Sequence, residues 1–149
     1  MTNSSLHDES TFYKHFITDL LKAKQEVWIE SPFITTERMN QLVPVFNKLI
    51  KKGIKVYVVT RDPREHESPY AEQSEREIRH FELIGVQTLI CSGNHHRKLA
   101  IIDRDILWEG SLNILSQLKS REIMRRFEGG GFAVEMFNYL KLERFIEIM

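Results

Sequence analysis

Residues 96–113 read His96-Arg97-Lys98-Leu99-Ala100-Ile101-Ile102-Asp103-Arg104-Asp105-Ile106-Leu107-Trp108-Glu109-Gly110-Ser111-Leu112-Asn113. Two apolar runs flank Arg104-Asp105, which predicts a strand from Lys98 to Asp103, a second from Ile106 to Gly110 and a two-residue turn between them. A hairpin of that loop length sets Asp103 opposite Ile106, Lys98 opposite Ser111 and His96 opposite Asn113. Because side chains alternate faces along a strand, His96, Lys98, Ser111 and Asn113 are then expected on one face. Asp103 lies an odd number of residues from Lys98 and points to the other face, so its expected role is structural or orienting.

Those residue types suit a phosphodiester. Its cleavage needs a nucleophile or proton carrier, a cation for its charge and neutral donors for its non-bridging oxygens. The spacing H-x-K-x4-D-x6-G-S-x-N fixes six positions, which chance supplies in on the order of one in a million chains of this length. The motif resembles that of the phospholipase D superfamily, sharply from His96 to Glu122 and elsewhere only as a pattern of strands and helices. The resemblance implies that His96 is the nucleophile and proton carrier, that Lys98, Ser111 and Asn113 hold the phosphate, and that Glu122 orients the histidine.

Outward from the motif, apolar spacing predicts a helix over residues 10–24 with Asp8 or Ser10 as cap. A strand follows from Val27 to Ile34, then a helix capped by Thr36 and stopped at Gly53. The β-branched run from Ile54 to Thr60 predicts a strand buried on both faces. A helix near Ala71–Leu83, stopped by Gly85, leads to a third strand from Val86 to Cys91. Glu122 opens a further extended run, Gly129-Gly130-Gly131 marks a loop, and Phe132 to Met149 predicts a terminal helix. The expected fold is α/β: a mixed, largely parallel sheet with helices on both faces, phospholipase D-like, with one motif per chain. The strand ends at Ser31-Pro32-Phe33 and Thr60-Arg61-Asp62 are expected to wall the ligand site. Substrate contacts are accordingly assigned to Ser31, Phe33 and Arg61, with Lys119 and Arg121 from the basic segment.

The 149 residues fit one domain, 1–149, and the abrupt apolar end at Phe145-Ile146-Glu147-Ile148-Met149 suggests a piece of a longer protein. No apolar run approaches the ~20 residues of a bilayer span. The polar start, Met1 to Ser10, lacks the pattern of a secretory signal, and a lone Cys91 forms no internal disulfide. A cytoplasmic setting without membrane partners follows. The histidines outside the motif lack metal-ligand spacing, so neither metal nor other cofactor is expected. His95, next to His96, points the other way and is read as structural.

Net charge is zero, yet residues 62–82 carry seven acids against three bases, and residues 96–126 seven bases against four acids. The positive segment coincides with the motif, where it steers an anionic ligand. The smaller single-motif members of the resembled family include endonucleases and build one site across a homodimer. The stretch Trp108 to Ser116, followed by Arg-Glu-Ile-Met, also resembles domains of that family attached to bacterial helicases and restriction proteins. The expected function is therefore a metal-independent phosphodiesterase, a nuclease acting on DNA in preference to RNA through a phosphohistidine at a site shared by two subunits. The alternative is a nucleic-acid-binding or dimerising module without strong catalysis. A phospholipid phosphodiesterase is the third reading.

Overall fold

A computed structural model describes residues 3–148. Met1, Thr2 and Met149 lie outside them, so the expected terminal helix is followed only to residue 148. The chain runs β1 (Asn3–Asp8), α1 (Phe12–Leu21), β2 (Glu26–Glu30), α2 (Thr36–Lys51) and β3 (Lys55–Arg61). A short 3₁₀ turn (Pro63–Glu65) leads to α3 (Tyr70–Ile84) and β4 (Gln87–Cys91). There follow β5 (Leu99–Ile102), β6 (Ile106–Gly110), β7 (Ile123–Glu128), α4 (Phe132–Tyr139) and α5 (Glu143–Ile148).

All seven strands share one sheet, in the order β1-β7-β6-β5-β2-β3-β4. The sheet is mixed, as expected, but its balance differs from the largely parallel reading. The pairings β2–β3 and β3–β4 are parallel, and the other four are antiparallel. The β–α–β crossovers through α2 and α3 account for the two parallel pairings. The motif hairpin joins β2 antiparallel through β5 and turns the remaining strands the same way. One strand, β1, was not anticipated: Asn-Ser-Ser-Leu-His-Asp has no apolar alternation, and it pairs along the β7 edge through its backbone.

Strand residues alternate between two cores. Val27, Ile29, Val56, Val58, Ala100, Ile102, Trp108 and Met124 meet α1, α2 and α3 through Phe16, Leu42, Phe46 and Phe81. Their neighbours Trp28, Tyr57, Val59, Leu99, Ile101 and Leu107 meet α4 and the turn after it through Ala133, Phe137, Leu140 and Leu142. Burying an aliphatic or aromatic side chain of this size contributes about 1.5–3 kcal/mol, so both helical layers are held by the same sheet. The terminal helix expected as one piece is two. Lys141 takes a positive φ of 55°, and Leu142 N–H donates to Phe137 O at 3.2 Å. The bend seats both Leu140 and Leu142 on the sheet. The cap of α2 is Thr35 rather than Thr36: its hydroxyl accepts from Arg38 N–H at 3.4 Å.

The hairpin register also departs from expectation. Ile102 pairs with Ile106, Ala100 with Trp108 and Leu99 with Glu109. Three residues, Asp103, Arg104 and Asp105, make the turn, with Asp103 and Arg104 at φ of 54° and 53° and Asp105 N–H donating to Ile102 O at 3.0 Å. Lys98 therefore stands opposite Gly110, whose N–H lies 3.4 Å from Lys98 O. A slip of one residue exchanges faces, so Ser111 and Asn113 are not the cross-strand neighbours of Lys98 and His96.

Candidate active site

The antiparallel entry of β5 brings several chain ends to one rim: the carboxyl ends of β2, β3 and β6 and the amino ends of β5 and β7. His96, Lys98, Ser111 and Asn113 sit on the loops that leave this rim, not on the strands.

His96 lies in the segment between β4 and β5 and is exposed. Its Nε2 is 3.1 Å from Asn94 Oδ1 and 3.4 Å from Arg61 Nη1. The guanidinium can only donate and the amide oxygen only accept. A deprotonated Nε2 therefore has a donor beside it, and a protonated one has an acceptor. Arg61, at the end of β3, is itself fixed: its Nε donates to Glu65 Oε1 at 3.1 Å and its Nη2 to Glu65 O at 3.2 Å. The same Glu65 carboxylate accepts from the amides of Gly93 at 2.8 Å and Asn94 at 3.1 Å. Those two amides, with Arg61, hold the Glu65 carboxyl below its ordinary range. One carboxylate thus shapes the loop that carries His96 and aims the cation at the ring.

Lys98 donates from Nζ to His96 O at 2.8 Å, which folds its ammonium back towards the motif. Its charge also reaches Glu122. The Ser111 and Ser120 hydroxyls hold the Glu122 carboxyl below its usual range, and the Lys98 charge adds to the effect. Glu122 is not among the hydrogen-bond partners of His96; the structure groups it with Ser111 and Lys98.

Gly110 permits the chain to leave β6. A Cβ there would lie 2.1 Å from Ile123 O, so only glycine lets β7 start so close. Ser111 then ties the two together: its N–H donates to Ile123 O at 3.0 Å, and its Oγ accepts from Ile123 N–H at 3.0 Å. Leu112, Ile114 and Leu115 are fully buried and pin the following loop. Leu115 N–H donates to Ser31 Oγ at 3.1 Å, and Tyr13 OH donates to Ile114 O at 2.6 Å. Asn113 is left with a buried Oδ1 that has no hydrogen-bond partner.

The expected ligand walls divide accordingly. Phe33 lies on the rim, its ring 6.3 Å from that of His96. Lys119 lines the cavity that Phe33 and Asn113 also line, and Arg121 is exposed on the adjoining loop. Ser31 is corrected: it is fully buried, its hydroxyl donating to Phe33 O and accepting from Leu115 N–H, so it supports the wall rather than touching a ligand. Asp103 sits at the far end of β5, where its carboxylate accepts from the amides of Lys24, Gln25 and Glu26 at 2.8, 2.8 and 3.1 Å. His95 turns inward, its Nε2 2.8 Å from Oε1 of the buried Glu30. Neither atom has an aligned hydrogen bond, so the contact is a close buried pair rather than a well-formed bond.

Sequence reasoning passed over Glu65, Asn94 and Glu30. Ser92-Gly93-Asn94 does read as a turn, but nothing in the spacing ties it to Glu65. Among the described residues no group of three or more His, Cys, Asp or Glu side chains is placed to hold a metal ion, and no helix is long and apolar enough to cross a membrane.

A family model described as cardiolipin synthase, PLD-like domain, matches residues 16–129. No curated protein matches the sequence. Among solved structures, Nuc from Salmonella typhimurium, a phospholipase D family member, is similar with a TM-score of 0.74 at 18% identity, over 97% of this chain and 95% of that one. NucT from Helicobacter pylori is similar at 0.73 and 18% identity, over 95% and 94%. Phosphatidylserine synthase from Haemophilus influenzae is similar at 0.69 and 12% identity, but this chain spans only 38% of it.

Proposed function

The chain belongs to the phospholipase D superfamily, and from that premise we propose that it is a metal-independent nuclease whose nucleophile is His96. The observation that carries this reading is the setting of that ring. It is an exposed imidazole with Arg61 fixed beside it, with the Lys98 ammonium held on the His96 carbonyl, and with a separate partner for each protonation state of Nε2.

His96 Nε2, deprotonated, attacks phosphorus, a nitrogen–phosphorus bond forms, and the bond to the leaving oxygen breaks. A second His96 donates the proton that the leaving oxygen takes. That same histidine then removes a proton from water, which attacks phosphorus and releases the first ring. Acid–base help of this kind is worth about 10²–10⁴-fold. Lys98, Arg61 and the Asn113 side chain hold the non-bridging oxygens as charge develops on them. Because these residues perform the work, cleavage persists in EDTA.

The second His96 comes from a second copy of the chain. Two things support that step: the single motif, and the near end-to-end likeness in length to Nuc and NucT. Exposed Leu6, Ile123 and Tyr139 also line a groove of about 760 Å³ that Arg97 and Lys98 share, so apolar surface adjoins the motif. Pairing one patch with itself gives an isologous dimer.

Nucleic acid is favoured as substrate by the cations around the rim (Arg61, Arg97, Lys98, Lys119 and Arg121), because a polyanion engages several at once. DNA is the first choice. One observation favours the binding-only alternative: Glu122 makes no hydrogen bond to the histidine it was expected to orient. Incubation with single- and double-stranded DNA, with and without EDTA, separates the two. Cleavage in EDTA supports the nuclease, whereas a mobility shift with intact DNA supports the binding module.

A further inference from the structure

A second cavity, of about 360 Å³, opens beside Asn113 and is walled by Phe33, Tyr70, Gln117 and Lys119. That volume lies near the lower end of the ~300–1,000 Å³ typical of small-ligand pockets. Its aromatic lining continues to the nucleophile. The Tyr70 ring is 6.2 Å from Phe33 at 64°, and Phe33 is 6.3 Å from His96 at 65°. Behind Phe33, His66 stacks at 4.8 Å and 28°, and the His66 Nε2 is 3.0 Å from Pro32 O. Burial, with the Arg61 charge nearby, lowers the His66 pKa, so this backing ring is neutral near pH 7.

One feature has no internal use. Tyr70, in the first turn of α3, leaves 51% of its surface in solvent on the lining of this cavity. A flat ring would cover that aromatic face, and Lys119 on the same lining supplies a charge for the phosphate attached to it.

We propose that this cavity is a base-stacking subsite, which takes the nucleobase next to the phosphate held at His96 and so selects single-stranded or locally unpaired nucleic acid over an intact duplex. The inference rests on the nuclease reading above and names its substrate class. A base inside a duplex is already stacked and paired, and must be extruded before it can enter. A free strand offers the ring at no such cost. Stacking on aromatic side chains is sequence-tolerant, so discrimination is by strandedness rather than by base identity.

The test uses the full chain and two fluorescent single-stranded oligomers of equal length, one ordinary DNA and one built of abasic spacer units. Cleavage and binding are measured for both, alongside an intact DNA duplex. The expected result is that the ordinary strand is preferred over the abasic strand about ten- to hundredfold in kcat/KM. That ratio collapses in Tyr70→Ala and returns in Tyr70→Phe. The duplex is cut more slowly than the ordinary strand. Equal cleavage of the two single strands by the wild type, or a duplex cut as fast as the free strand, overturns the subsite and leaves the nuclease standing. Binding that prefers the base-bearing strand, with no cleavage of either, overturns the nuclease and upholds the subsite. No binding to either strand overturns both.

Discussion

The two ends of β5 belong to one sequence motif and treat their polar groups in opposite ways. At the far end, the Asp103 carboxylate is consumed by three backbone amides of residues 24–26, and Arg104 pairs with Glu26 at 3.1 Å. At the near end, His96 is exposed between a donor and an acceptor, and Asn113 has a buried oxygen with no partner. Buried polar groups are almost always satisfied within a fold, so an unpartnered one within the motif calls for an explanation. The contrast teaches that the motif is half anchor and half reagent. The anchor holds the hairpin against β2, and the reagent end presents what the anchor keeps still.

If that division is right, substitutions at the two ends separate activity from stability. His96→Ala breaks it hardest. Turnover of a single-stranded oligonucleotide falls by about 10³-fold or more while the melting temperature stays within a degree or two of wild type, as steady-state kinetics and thermal unfolding will show. Lys98→Met and Asn113→Ala follow, each lowering kcat by about 10²–10³-fold with the fold intact. Loss of binding with kcat preserved would instead make these two ground-state contacts.

Asp103→Ala is the mirror experiment. It leaves amides of residues 24–26 without their acceptor, at about 1–3 kcal/mol, and places alanine at a positive φ, at about 1 kcal/mol more. Denaturant unfolding should show that loss, while the folded fraction keeps kcat within about twofold of wild type. Asp103→Asn, which tolerates the left-handed conformation, should recover part of the stability. An Asp103→Ala protein of normal stability and lost activity would collapse the distinction between the two ends.

The smallest effect probes the support of the reagent end. Glu65 has a depressed carboxyl, so its contribution is full above the ordinary glutamate pKa and is lost as pH falls through the lower folded value. The amide resonances of Gly93 and Asn94 should therefore titrate together with a midpoint below the ordinary glutamate pKa. Glu65→Gln should remove that titration and reduce activity only several-fold.

The anchor and reagent were not equally legible. His96, Lys98 and the Gly110-Ser111 exit stand out because their spacing is local. The alternation of strands and helices through β4 was equally plain from periodicity. The register was not, because Asp103 and Arg104 both adopt positive φ in a turn that lacks the usual Asn-Gly signal. What holds that turn is the contact with residues 24–26, far away in sequence. Glu65 was hidden for the same reason, since the amides it binds lie on another loop. Ser31 misled because a hydroxyl at a strand end is a fair ligand contact until Leu115 is seen to occupy it. In each case the missing information was tertiary.

The central claim is that His96 carries the chemistry without a metal. Single-turnover cleavage of a labelled single-stranded DNA in EDTA, by wild type and by His96→Ala, tests it most directly. The account predicts cleavage by the wild type and a loss of about 10³-fold or more in the variant. Wild-type rates from His96→Ala, or cleavage only when a divalent metal is restored, would contradict it.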